Sequence, residues 1–246
     1  MIETLRNMIK ERNSIVFFGG AGVSTESGIP DFRSETGLYH AKEEYGRSPE
    51  EMISHSFFME NTETFFDYYK KNMLYPDAQP GPAHRALAGL EEMGKLKAVI
   101  TQNIDGLHQK AGNTRVYELH GSVLRNYCMD CGASYSLGYI LDNENCRKRV
   151  PCCSKCGGIV KPDVVLYEEP LDDEVMAAAV KAISEADMMI VGGTSLVVYP
   201  AAGLIRYFGG KHLVLINKGA TSYDKQADLV INKSLGAVLG EACKDL

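Results

Sequence analysis

Seven short apolar runs, rich in β-branched and aromatic residues, are strung along this chain of 246 residues. They lie at 14–18, 96–100, 116–119, 164–167, 188–191, 212–216 and 229–231. Helical patterns separate several of them, at 83–93, 172–184, 200–208 and 234–243, the first stopped by Gly94 and the third by Gly209-Gly210. Apolar runs this short and without polar alternation read as strands buried on both faces. Strand-helix alternation then implies an α/β fold, a mainly parallel sheet with helices on both faces. The length fits one large domain, or one domain with a small module.

Two segments break the alternation and read as insertions into the sheet domain. Residues 34–80 predict two aromatic-rich helices, about 49–58 and 60–72, closed by a turn containing Pro76, Pro80 and Pro82. Residues 127–158 hold most of the cysteines around a polar, charged middle, in which Arg147-Lys148-Arg149 reads as a solvated loop. With 45% hydrophobic and 24% charged residues, composition excludes disordered and collagen-like classes. A net charge of -6 leaves no footprint for general nucleic-acid or anionic-membrane binding, so neither is expected as a partner. Near the N-terminus Ile2, Leu5, Met8 and Ile9 alternate with Glu3, Arg6 and Lys10 at helical spacing, unlike a signal peptide, and a cytoplasmic protein is expected. The uncharged stretch 188–205 is broken by Gly192, Gly193 and Pro200, so no membrane span is expected.

Six of the seven cysteines lie between 128 and 156. Clustering of this kind, in a cytoplasmic chain, favours metal over disulfides. Cys128-x-x-Cys131 and Cys153-x-x-Cys156 are two hooks, each able to aim two thiolates at one ion, and four thiolates satisfy tetrahedral Zn²⁺. Cys146 and Cys152 compete as ligands; Cys153 is preferred because Gly157-Gly158 supplies the turn after the second hook. A closed four-thiolate shell leaves no position for substrate, so the expected role is structural. Cys243 reads as an ordinary residue of the last helix.

The first strand runs into Gly20-Ala21-Gly22, a turn that lets bare backbone approach a pyrophosphate. It is not an ordinary dehydrogenase fingerprint, because Thr25 stands where a third small residue belongs and an insertion replaces the second strand. Ser24, Ser27, Asp31, Phe32 and Arg33 come within the next eleven or so positions, a density of polar groups expected of a ligand lid. In a parallel sheet the carboxyl ends of the strands line the ligand crevice. Gln102, Asn103, Asp105 and His108 follow one strand, and His120 ends the next, where an imidazole serves as general base or, alternatively, as a helix cap or satisfied core group. Gly193, Thr194, Ser195 and Asn217 follow two later strands and suit ribose hydroxyls and phosphate.

Read together, GAGVSTESGIPDFR at 20–33, TQNIDGLH at 101–108, ELHG at 118–121, the paired hooks, KPDVVLYEE at 161–169 and GTSLVVYP at 193–200 resemble the sirtuin family, in order and over nearly the whole chain. The resemblance implies an NAD-dependent protein lysine deacetylase. It implies a Rossmann-like NAD-binding domain at 1–33, 80–122 and 160–246, and a small domain formed by a helical insertion at 34–79 and a zinc ribbon at 123–159. Gly20, Ala21, Gly22, Asp31, Phe32 and Arg33 would hold NAD; Gln102 and Asn103 the nicotinamide ribose; Ile104 and Asp105 the carboxamide; Gly193, Thr194, Ser195 and Asn217 the phosphate and adenosine ribose. Val164, Val165 and Leu166 with Leu196, Val197 and Val198 would clamp an acetyl-lysine peptide by strand addition. His120, with Asn103, would be catalytic. The acetyl oxygen would attack the ribose and expel nicotinamide, and His120 would deprotonate a ribose hydroxyl to give O-acetyl-ADP-ribose and free lysine.

The chain departs from the family pattern in places. Gly19 stands where a threonine is common, and Glu168 replaces a common glycine, from which a preference for basic residues beside the acetyl-lysine is expected. A Tyr-x-x-Arg pair that marks desuccinylating members would map to Phe66 and Tyr69, leaving an apolar acyl pocket. The alternatives are mono-ADP-ribosyl transfer from the same NAD site and a non-catalytic NAD-sensing binding protein.

Overall fold

The computed structural model describes residues 1–31, 42–244 and 246. Its strands, in chain order, are β1 (Ile15–Gly19), β2 (Leu96–Thr101), β3 (Val116–Glu118), β4 (Gly121–Cys128), β5 (Ser134–Ser136), β6 (Cys146–Arg147), β7 (Val150–Pro151), β8 (Val160–Val164), β9 (Met188–Gly192), β10 (His212–Ile216) and β11 (Leu229–Ile231). Six form one sheet in the order β11-β10-β9-β1-β2-β3, every pair parallel. That is the doubly wound order with its switch point between β1 and β9. The registers set Gly19 opposite both Thr101 and Gly192, Thr101 opposite Glu118, and Gly192 opposite Ile216. The carboxyl ends are therefore level, and the loops beyond them share one edge.

Strand period two divides β1 between two cores. Ile15 and Phe17 face the helices Ile2–Glu11, Pro82–Glu92 and Leu235–Ala242 through Leu5, Ile9, Leu87, Leu90, Val238 and Leu239. Val16 and Phe18 face the helix Asp173–Ser184 and a 3₁₀ segment, Ala201–Tyr207, through Ala179, Ile183, Leu204 and Ile205. Local chemistry starts the helices where the sequence expects. Pro82 opens one of them, and the Asp172 carboxylate accepts from the Glu174 and Val175 amides, both at 2.9 Å, to cap another.

A third core joins the two insertions. Phe57, Phe58, Phe65, Phe66 and Tyr69 pack with Val123, Ile140, Val160, Val164 and Leu166, and the Phe58 and Phe65 rings meet edge to face at 4.9 Å. Beneath them β5, β4 and β8 form an antiparallel sheet. The run at 164–167 accordingly corrects the reading of it as one more strand of the parallel sheet. Val164 ends β8, and residues 165–167 continue beyond it outside any sheet, tied by a bridge between Tyr167 and Ser54. The two helices expected over 49–72 are three, Pro49–Met52, His55–Glu60 and Thr62–Asn72, because the Ser54 hydroxyl accepts from the Phe57 amide at 3.1 Å and starts a new helix. No helix among the described residues is long and apolar enough to cross a membrane.

Candidate active site

A cleft of about 800 Å³ opens where the level strand ends meet the third core. The turn after β1 and the turn after β9 touch across the switch point. The Gly22 amide donates to the Gly193 carbonyl at 2.8 Å, and Gly193 sits at φ +62°. A Cβ on Gly22 would lie 2.7 Å from the Gly193 Cα, and one on Gly20 would lie 3.0 Å from the Thr194 Cβ. A side chain is thus excluded at Gly22 and crowded at Gly20, leaving bare backbone at those two positions of the kind that admits a pyrophosphate.

Beside these turns the polar groups form a directed chain. Asn103 Nδ2 donates to Ser24 Oγ at 3.0 Å, Ser24 Oγ donates to Asp105 Oδ2 at 2.6 Å, and Asp105 Oδ1 accepts from the Leu107 amide at 2.9 Å. Gln102 Nε2 reaches Thr194 Oγ1 at 3.1 Å. His84, fully buried, stands behind Ser24: its Nδ1 accepts from the Gly81 amide at 3.1 Å, which leaves the proton on Nε2, 3.5 Å from Ser24 Oγ. His108 packs on the His84 ring at 4.7 Å. Burial pushes the pKa of both imidazoles down, that of His108 to about 3. His84 and its link to Ser24 escape a reading of the sequence. The one signal was a histidine at the third position of a proline-started helix.

His120 follows β3 at the cleft wall. Its Nδ1 lies 2.9 Å from the Gln102 main-chain oxygen, which accepts and so holds the proton on Nδ1. Nε2 is left with its lone pair and no partner among the described residues. Burial lowers the pKa, partly offset by the Gln102 carbonyl, so the ring is neutral at neutral pH. The His120 carbonyl accepts from the Val165 amide at 3.0 Å, which seats the chain at 164–166 beside the imidazole.

Gly20, Ala21, Asp31, Gln102, Asn103, Ile104, Asp105, His120, Val164, Val165, Leu166, Gly193, Thr194, Ser195 and Val198 all line the cleft. Gly22 is not in the lining but is bonded to Gly193, which is. Leu196 is buried in the second core, Val197 is exposed on the rim, and Asn217 turns its amide onto the Gly219 carbonyl at 3.0 Å instead. Phe32 and Arg33 lie outside the described residues. The mapping of the acyl pocket to Phe66 and Tyr69 is corrected: both are fully buried in the third core, and the cleft is lined from that helix by Tyr68 and Asn72. Tyr68 belongs to the same aromatic core and reaches the cleft from its edge. Glu168 lines the cleft, with its Oε2 held by the Ser56 amide and hydroxyl.

At the ribbon, the sulfurs of Cys128, Cys131, Cys153 and Cys156 all lie within 4.8 Å of one another, with Cys128–Cys156 at 3.4 Å and Cys131–Cys153 at 3.6 Å. Four thiolates about 2.3 Å from a tetrahedral zinc would be about 3.8 Å apart, so the set fits that ion. The hooks are built alike. The Gly132 amide donates to the Cys128 carbonyl at 3.0 Å and the Gly157 amide to the Cys153 carbonyl at 2.9 Å, and both glycines have positive φ, +69° and +80°. Cys152 turns its thiol to the Val150 carbonyl, and Cys146 lies near Lys70, both away from the four.

The Sir2 family model matches residues 20–200. A Clostridium acetobutylicum protein named NAD-dependent protein deacetylase is 63% identical over 97% of this chain and 96% of its own length. One of the same name from Clostridium perfringens is 64% identical over 98% and 97%. A solved structure of Sir2 with p53 peptide and NAD+ superposes with a TM-score of 0.86 at 37% identity, covering 97% of this chain and 95% of that one. A Sir2 variant carrying alanine for a histidine, with deacetylated p53 peptide and 3'-O-acetyl ADP ribose, gives 0.87 at 37% identity, covering 99% and 98%. Likeness of this extent, in sequence and in fold, makes the chain a member of the Sir2 family.

Proposed function

We propose that the chain is an NAD-dependent protein lysine deacetylase, acting on acetyl-lysine in proteins or peptides and releasing nicotinamide, O-acetyl-ADP-ribose and free lysine. The observation that carries this reading is the His120 imidazole, neutral, with its free Nε2 at the meeting of the glycine turns and the segment 164–166. NAD, when bound, supplies the ribose that accepts the acyl group and nicotinamide as leaving group.

The protein's own groups do the rest. Gly20, Ala21, Gly22 and Gly193 leave bare backbone and space for a diphosphate, the amides of Gly20, Gly22 and Gly193 themselves being bonded to the carbonyls of Gly192, Gly193 and Ile216, with Asp31, Phe32 and Arg33 as further NAD-binding residues and Thr194, Ser195 and Asn217 toward the adenosine side. Gln102 and Asn103 donate amide hydrogens toward ribose hydroxyls, while Ile104 and Asp105 face the carboxamide. Asp105 is fixed for that task by its bonds to Ser24 Oγ and the Leu107 amide. Val164, Val165 and Leu166, with Leu196, Val197 and Val198 opposite, pair with the peptide backbone as a strand between them. His120 takes the hydroxyl proton on Nε2 while Nδ1 stays bonded to Gln102, so the imidazolium formed is already solvated by a carbonyl. Zinc held by Cys128, Cys131, Cys153 and Cys156 supplies stability to the ribbon and no chemistry.

The same reading divides the chain into an NAD-binding part at 1–33, 80–122 and 160–246 and a small part at 34–79 and 123–159, and it places the protein in the cytoplasm. Mass analysis of the products tests the function. Incubation with NAD and an acetyl-lysine peptide should yield equal amounts of nicotinamide, O-acetyl-ADP-ribose and a peptide lighter by one acetyl group. A protein or peptide heavier by ADP-ribose would instead mean ADP-ribosyl transfer, and no turnover would leave a binding protein.

A further inference from the structure

The segment that would pair with peptide is gripped from behind by the helical insertion. The Tyr167 amide donates to the Ile53 carbonyl at 3.1 Å, and the His55 amide donates to the Tyr167 carbonyl at 2.9 Å, so 53–55 runs beside 167 as a short parallel bridge. Two consecutive carboxylates extend the grip. Glu169 accepts from the Leu166 amide at 2.9 Å and from Lys161 Nζ at 3.1 Å, and it lies 2.9 Å from His55 Nδ1. Glu168 Oε2 accepts from both the Ser56 amide, at 2.8 Å, and the Ser56 hydroxyl, at 2.6 Å.

Glu168 makes those bonds from a strained backbone. Its φ is +76°, a region where glycine is at ease and a side chain is not. A carboxylate kept at such a position, though solvent reaches it, and held by two donors on another element has a task there. Ser56 keeps it ionised, holding its pKa below the usual carboxylate range.

We propose that Glu168 is a positioning residue: its bonds to Ser56 latch the helical insertion to the chain at 164–167 and hold that segment ready to receive the acyl-lysine peptide. The inference rests on the deacetylase reading. It replaces the expectation that Glu168 attracts basic residues in the substrate. Both oxygens of Glu169 and Oε2 of Glu168 are engaged within the chain, and the latch is indifferent to substrate charge.

The test is steady-state deacetylation by wild type, Glu168→Gly, Glu168→Gln and Ser56→Ala, each with acetyl-lysine peptides flanked by acidic, neutral or basic residues. Glycine removes the latch and relieves the positive φ, so Glu168→Gly should fold as well as wild type, with equal or higher Tm. Its KM for peptide should rise about fivefold, the order expected for losing hydrogen bonds at an exposed carboxylate, by the same factor for all three flanks. KM for NAD and kcat should move less than about twofold. Glu168→Gln keeps an acceptor oxygen and should restore the peptide KM to within about twofold of wild type, with Ser56→Ala intermediate. An unchanged peptide KM in Glu168→Gly would overturn the latch. So would a KM increase confined to basic-flanked peptides, or Glu168→Gln behaving as Glu168→Gly, since either would show that the charge recognises substrate. A wild-type protein without deacetylation would refute the function itself, an outcome separate from these.

Discussion

His120 is tuned for its task by two neighbours that act on different nitrogens. Gln102 fixes the proton on Nδ1, and burial disfavours the charged ring, so Nε2 is a free base at neutral pH. Only the neutral imidazole accepts a proton. Because its pKa is lowered, the rate should be level from about pH 7 to 8 and fall only when pH drops beneath the ordinary histidine value of about 6.5. The profile of kcat/KM against pH checks this. His120→Gln should cut kcat by about 10²- to 10⁴-fold with little change in NAD affinity measured by calorimetry. The same sign governs folding. The unfolded chain binds protons at His84, His108 and His120 before the folded one does, so their contribution is whole above about pH 6.5 and is lost on acidification. Position 120 was legible in the sequence because a strand run ends there. The network behind it was less so, since a reading along the chain cannot bring together His84 and Ser24, far apart in sequence.

Strands β1, β2, β3, β9, β10 and β11 stand where short apolar runs stand in the sequence, because burial on both faces leaves an unbroken apolar signature. The run at 164–167 carries the same signature for another reason. Val164 and Leu166 are buried against the aromatic insertion, and periodicity reports burial without naming the partner. The hooks were legible through their spacing, since two thiolates on one tight turn need two residues between them. Their equivalence shows in the matched glycine turns at 132 and 157. Withdrawing zinc should unfold this element first. Chelation, or Cys156→Ser, is expected to abolish peptide deacetylation and expose the ribbon to protease, while the helix and strand signal of the parallel sheet persists in circular dichroism.

The cleft lies between the strand ends of the parallel sheet and the third core, and its charge bears on which acyl groups can enter. Among the described residues its lining carries the carboxylates of Asp31, Asp105, Glu168 and Glu169, and the one lysine, Lys110, donates to the Ala78 carbonyl at 2.8 Å. A succinyl group would bring a further negative charge to Tyr68 and Asn72, which offer it no cation. With a panel of acylated peptides, acetyl- and propionyl-lysine should be turned over at least about 100-fold faster than succinyl-lysine, the scale set by a few kcal/mol of unpaired charge. The α/β class and the presence of insertions were readable from the order of runs. Which helix face meets the cleft was not, because Phe65, Phe66, Tyr68 and Tyr69 are alike in composition and differ only in packing. The bond between the Val165 amide and the His120 carbonyl also joins two of the places where the chain passes between the parallel sheet and the third core. The residue that bears the proton acceptor and the segment 164–166 are thereby stitched main chain to main chain, so their spacing is set by the backbone and owes nothing to side-chain packing.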